Sequence, residues 1–165
     1  MALTTTDIGA SITFSPQWWH LISSTRIFMA SFCGQSFGDS DLSDRIAMCA
    51  HELLENAVKY SVTQDSPVNC TMHIQHDRVL VTVENHADPS HLDVLREEFD
   101  VVCQGDPMEM YINKMSASLE SDKSQLGLAR IRAEGEAELK LSTENGIVSV
   151  QAIFHLPDDL KGAVN

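Results

Sequence analysis

The sequence predicts an α/β fold, a two-layer sandwich with one mixed or antiparallel sheet covered on one face by helices. Two pairs of segments alternate apolar and polar residues at period two around a tight turn, the pattern of half-buried hairpins. One long segment carries its apolar residues at helical spacing. The chain has 165 residues, 43% of them hydrophobic, enough for a single domain with a two-layer core. The domain is expected to fill residues 1–165, with its core from about residue 10 to residue 156.

The elements follow in order. ASITFS alternates through Ile12 and Phe14 and reads as a short strand. Ser15 and Pro16 read as the N-cap and first position of a helix. That helix carries Trp18, Trp19, Ile22, Phe28 and Phe32 and ends near residues 34–38. Adjacent on a helix, the two tryptophans cannot both be core, and the outer one is a candidate partner contact. GDSDLSD is a second start signal for a helix over 41–60. There Leu42, Ile46, Leu53 and Ala57 form one apolar stripe. Val68, Cys70, Met72 and Ile74 alternate, as do Val79, Val81 and Val83, with His76-Asp77 as the hairpin turn. A helical stretch over about 89–120 breaks near 104–107. SDKSQ reads as a loop, and LGLARIRAEGEAE as a helix with Gly135 near its end. LKLS and IVSVQAIF close the chain as a second hairpin across Glu144-Asn145-Gly146, and one sheet with helices on one face packs this order economically.

Lys and Arg total 11 against 24 Asp and Glu, a net charge of −13. Such a charge repels phosphate backbones and anionic membranes, which argues against nucleic-acid and membrane partners. No apolar run approaches the roughly 20 residues of a membrane span. MALTTTDIGASITF lacks the basic start and apolar run of a signal peptide. Cys33, Cys49, Cys70 and Cys103 form no C-x-x-C pair and are expected as reduced, mostly buried thiols of a cytoplasmic protein. His73 and His76 lie three apart on a strand and face opposite sides, which suits no common metal. His86 and His91 flank a loop and read as ordinary polar residues.

The informative stretch is AHELLENAVKYS. At about 100° per residue, Glu52, Asn56 and Lys59 fall within about 60° of one another on a helix. Leu53 and Ala57 sit to one side, on the buried stripe. The set suits a Mg²⁺–triphosphate: Asn56 offers Mg²⁺ a neutral oxygen, Lys59 meets a phosphate as a point charge, and Glu52 takes a proton from an attacking hydroxyl. Tyr60, one step round, can put its ring against a base. On spacing alone, a solvated helix face with ordinary i,i+4 neighbours accounts for the same residues.

ELLENAVKYS resembles the N-box of the histidine-kinase-like (GHKL) ATPase family, E/N-x-x-x-N-A-x-K-Y/H. RVLVTVEN looks like the strand that enters that family's first glycine box, and QLGLARI like its second, normally G-x-G-L-x-I. Order and separations agree over most of residues 10–156. The resemblance implies a Bergerat-type sandwich that binds ATP and Mg²⁺ between helices and a lid, here about 92–125. It makes Glu52 the catalytic base, Asn56 the Mg²⁺ ligand, Lys59 a phosphate contact and Tyr60 a neighbour of adenine. Asn85 falls where the family's adenine-binding Asp stands, and Gly127 at the second glycine of the lid box. The first box, normally D-x-G-x-G, has Asn85, Ala87 and Pro89. The second has Gln125 in place of its first glycine.

HEL at His51–Leu53 echoes the phosphoacceptor box of sensor kinases, but Asn56-Ala57 follows it without the proline, so His51 is not read as a phosphoacceptor. The chain is closest in type to small anti-sigma-factor kinases, which act in partner switching. That implies a serine/threonine kinase acting on a small antagonist protein, with room for a second regulatory partner and for a homodimer. The alternative is a degenerate, non-catalytic nucleotide- or protein-binding module of the same fold.

Overall fold

The structure is a computed structural model that describes residues 8–118 and 126–162. Strand β1 (Ile8–Phe14) leads through a 3-10 turn (Pro16–Trp18) into helices α1 (Leu21–Phe37) and α2 (Ser40–Tyr60). A hairpin of β2 (Val68–Ile74) and β3 (Arg78–His86) follows, then α3 (Pro89–Val102), α4 (Pro107–Ser118) and α5 (Leu126–Ala133). The hairpin of β4 (Glu138–Glu144) and β5 (Ile147–His155) comes last. The described strands make one five-stranded sheet in the order β1-β2-β3-β5-β4. Every pairing is antiparallel. The two-layer α/β sandwich is therefore the architecture, and its sheet is antiparallel rather than mixed.

Side-chain alternation decides which face is covered. Met72, Val81, Ala152 and Leu139 lie in one row across four strands and all are buried. The next row, Thr71, Thr82, Gln151 and Lys140, faces the other way. There Gln151 donates to the Thr82 hydroxyl at 3.0 Å, and Ser11 and Thr13 donate to Asn69 Oδ1 at 3.1 and 3.0 Å. The polar face closes on itself by such cross-strand pairs, while the apolar face takes the helices.

Helix α2 is the central element of the helical layer. Its predicted stripe, Leu42, Ile46, Leu53 and Ala57, is buried, as are Ala47, Cys49, Ala50 and Leu54. The broader stripe arises because α2 touches α1 on one side, α5 on another and the sheet beneath. Its start is set by Asp39, whose carboxylate accepts from Leu42 N at 2.8 Å, an N-cap. Gly38, at φ 71°, ends α1 in a left-handed turn just before it. Among the described residues no helix is long and apolar enough to cross a membrane.

One expectation needs correction. The Ser15-Pro16 signal opens a 3-10 turn, not the helix itself. Trp18 N–H donates to Ser15 O at 2.8 Å and Trp19 N–H to Pro16 O at 3.1 Å, while the Ser15 side chain caps nothing. These i→i−3 bonds wind more tightly than an α-helix, and α1 begins only at Leu21. The tryptophans thus lie outside the α1 stripe of Ile22, Met29, Cys33 and Phe37, 51% and 64% exposed. The segment from about 92 to 125 is helical where it is described, as its pattern predicts: Leu95, Phe99 and Val102 of α3 and Tyr111 of α4 are buried. The break between them falls at residues 103–106, where Gly105 has φ 64°. Arg132 of α5 donates there to the carbonyls of Val102 and Gly105, a cation at a helix C-terminus. The end of the expected lid, the SDKSQ loop and Gln125 lie outside the described residues.

Candidate functional site

The helix-facing side of β3 ends at Asn85, beneath the last turns of α2. A narrow cleft opens here between α2, β3, α3, α5 and β5. Leu53, Ala57, Val83, Ala87, Leu95, Leu128, Val148 and Val150 make it apolar, and Asn56, Tyr60 and Asn85 are its polar groups. Asn56 and Tyr60 are half-buried and reach the cleft because each lies three or four residues from Leu53 or Ala57 on α2. Tyr60 stands edge-on to His91 of α3 at 5.7 Å between ring centroids. The ammonium of Lys59, an exposed residue, lies 5.5 Å from the Tyr60 ring centroid, a cation–π contact.

Asn85 is 5% exposed, and its Nδ2 has no hydrogen-bond partner. A buried amide without a partner is uncommon and costly. The next residues are held by backbone bonds. Val62 N–H donates to His86 O at 2.8 Å, and Ala87 N–H donates to Gly146 O at 3.0 Å, across to the β4–β5 turn. Asp88 then caps α3 with Pro89 at its start, accepting from Ser90 N. The Ser90 N–H and hydroxyl hold the exposed Asp88 carboxyl below its ordinary range. Ala87 and Pro89 both have negative φ. The segment that departs from the glycine-box pattern is therefore built as a helix start, where proline is favoured and glycine is not required.

Glu52 sits at the seam of α2 and α5. Arg130 Nη1 donates to Glu52 Oε1 at 3.0 Å and Arg130 Nε to Glu134 Oε2 at 2.7 Å. The bond to Glu134, and after it the bond to Glu52, raises the guanidinium's pKa against the opposing effect of burial. A Cβ on Gly127 would stand 2.8 Å from Glu52 Oε2, so the absent side chain is what lets the carboxylate lie against α5.

The predicted residues thus divide into neighbouring groups. Asn56, Tyr60 and Asn85 line one cleft, Glu52 and Gly127 touch each other at the α2–α5 seam, and Lys59 lies beside Tyr60. Sequence reasoning missed Arg130, Glu134 and His91. Arg130 follows Gly127 by three residues, so helical spacing already puts both on one face of α5. Nothing local marks His91, which meets Tyr60 only through packing. His51, set aside as a phosphoacceptor, pairs with Glu55 through Nε2 at 3.2 Å, and its buried Nδ1 has no partner.

No known protein family matches the chain, and no curated protein matches it. Among solved structures it is similar to a chain of the SiaB–SiaC complex from Pseudomonas aeruginosa, with a TM-score of 0.67 at 14% identity. The match covers 87% of this chain and 88% of that one. At that identity the likeness is one of fold.

Proposed function

We propose that this chain is a histidine-kinase-like ATPase domain of Bergerat type. It acts as a cytoplasmic, stand-alone serine/threonine kinase on a small protein partner in a partner-switching pathway. The observation that carries the reading is the convergence of Asn56, Tyr60 and Asn85 on one apolar cleft, with Glu52 one turn before Asn56. The neighbour in fold belongs to a two-protein complex, which supports a protein as partner.

In this reading the base of ATP enters the cleft beside Tyr60 and Asn85, and its phosphates run toward Asn56, Lys59 and the Gly127 end of α5. The donors fit Mg²⁺, which takes hard oxygens and keeps several waters: Asn56 offers one neutral oxygen at the cleft and leaves the other positions open. A Mg²⁺ held by Asn56 would offset charge on the triphosphate. Glu52 takes the proton of the incoming hydroxyl at Oε2, because Oε1 is held by Arg130. Arg130 thereby orients the base, and Glu134 orients Arg130.

Glu52→Gln keeps the shape and removes the proton acceptor. Phosphoryl transfer from radiolabelled ATP to a candidate small protein partner should fall by about 10²-fold or more, with ATP affinity nearly unchanged. Asn56→Ala should instead weaken Mg²⁺–ATP in titration calorimetry. Unchanged transfer by Glu52→Gln removes Glu52 from the mechanism. ATP that binds without transfer to any partner favours the second reading, a non-catalytic binding module. The capped Asp88-Pro89 helix start, in place of a flexible glycine box, supports that alternative.

A further inference from the structure

Asn85 is the one buried polar side chain in the cleft wall among the described residues. It is 5% exposed, and its Nδ2 lacks a partner. Val83, Leu95, Leu128, Val148 and Val150 close the wall with apolar atoms. A donor buried and unanswered at the inner end of a cleft marks where a ligand's polar edge belongs.

The chemistry of the carboxamide sets what that edge is. It presents a donor and an acceptor side by side, and a half-turn about its last bond exchanges the two in the same volume. A 6-aminopurine offers the N6–H donor beside the N1 acceptor. A 6-oxopurine offers the O6 acceptor beside the N1–H donor. Asn85 matches the first in one orientation and the second in the other. An ionised carboxylate in its place only accepts, so it meets the N6 amino group of the first base or the N1–H of the second, and never O6 or the N1 lone pair.

We propose that the cleft takes purine nucleotides of both kinds, and that Asn85 is the residue that relaxes the choice of base. The inference rests on the reading of this cleft as a nucleotide site. ATP and GTP should therefore bind within about tenfold of each other, because neither leaves the Asn85 amide unpaired. Asn85→Leu, which introduces no buried charge, should weaken both nucleotides alike while the protein stays folded by circular dichroism.

The experiment is titration calorimetry of the whole chain with ATP and with GTP, each with Mg²⁺, for the wild type and Asn85→Leu. Comparable ATP and GTP affinities in the wild type, lost together in Asn85→Leu, support the proposal. ATP binding with GTP weaker by more than about tenfold overturns it and leaves the nucleotide reading intact. Unaltered binding of both nucleotides to Asn85→Leu overturns the assignment to Asn85. Failure of both nucleotides to bind the wild type at millimolar concentration overturns the nucleotide reading, and the inference with it.

Discussion

Gly127 and Gly135, at the two ends of α5, ask different things of an added methyl group. At Gly127 the group in the way is the end of the Glu52 side chain, 2.8 Å off, which can swing aside. Alanine also favours a helix over glycine by about 0.5–1 kcal/mol. Gly127→Ala should therefore leave the thermal midpoint unchanged or slightly raised; if Glu52 is the base proposed above, phosphoryl transfer falls with it because the carboxylate is displaced. At Gly135 the obstacles are Ile131 O at 2.4 Å and Cys49 Sγ at 2.5 Å, a backbone atom and a buried thiol. Gly135→Ala should cost about 1–3 kcal/mol by urea unfolding, the scale of overpacking; a cost near zero would mean the α5–β4 connection can relax. Thiols make the third residue-scale case. Burial pushes Cys33 and Cys70 up to about 12 from 9.0. A raised folded pKa means the thiols stabilise the fold fully below pH 9 and progressively less between 9 and about 12, as the unfolded chain ionises first. Stability should accordingly fall across that alkaline range. At pH 8 a disulfide reagent should react with the half-exposed Cys103 and reach Cys33, Cys49 and Cys70 only on unfolding. Glu52, Asn56 and Tyr60 were legible in the sequence because one helix carries all three. The Arg130 bridge was not, since it joins residues far apart in the chain.

At the level of elements, α2 depends on its cap and its stripe by separable amounts. Asp39→Ala removes the acceptor for Leu42 N and should cost about 1 kcal/mol. Ile46→Ala, at a site with no exposure, should cost about 2–5 kcal/mol, through lost burial and the cavity left behind. Urea unfolding of both variants tests the order; an Asp39 effect as large as that of Ile46 would place the cap above the core in holding α2. The strands were legible because Val68, Cys70, Met72 and Ile74, with Val79, Val81 and Val83, alternate strictly, and a half-buried antiparallel sheet imposes that period. The start of α1 was not, because Ser-Pro marks the opening of a 3-10 turn as readily as that of an α-helix. The helices α3 and α4 were legible in the same way as the strands, since Leu95, Phe99 and Val102 are spaced for one helix face and Gly105 marks the break between them.

For the molecule as a whole, the net charge of −13 opposes compactness at low ionic strength. Salt near 0.1 M shortens the reach of these charges to about 10 Å. The thermal midpoint should therefore rise as sodium chloride is raised from a few millimolar to about 0.15 M; a falling midpoint would give the greater weight to local pairs such as Arg45–Asp41 and Arg45–Glu136. The global architecture was legible because each hairpin and helix announced itself locally and one sheet with a single covered face is the compact way to join them. The β4–β5 turn illustrates what such a plan conceals. A hairpin tip ordinarily tolerates an inserted tag or epitope, and Asn145-Gly146 would be a natural place to put one. Here the Gly146 carbonyl anchors the Ala87 amide, next to Asn85 at the floor of the cleft. An insertion at this tip would disturb the cleft from a distance, and a protein engineer who needs a silent attachment point should look elsewhere.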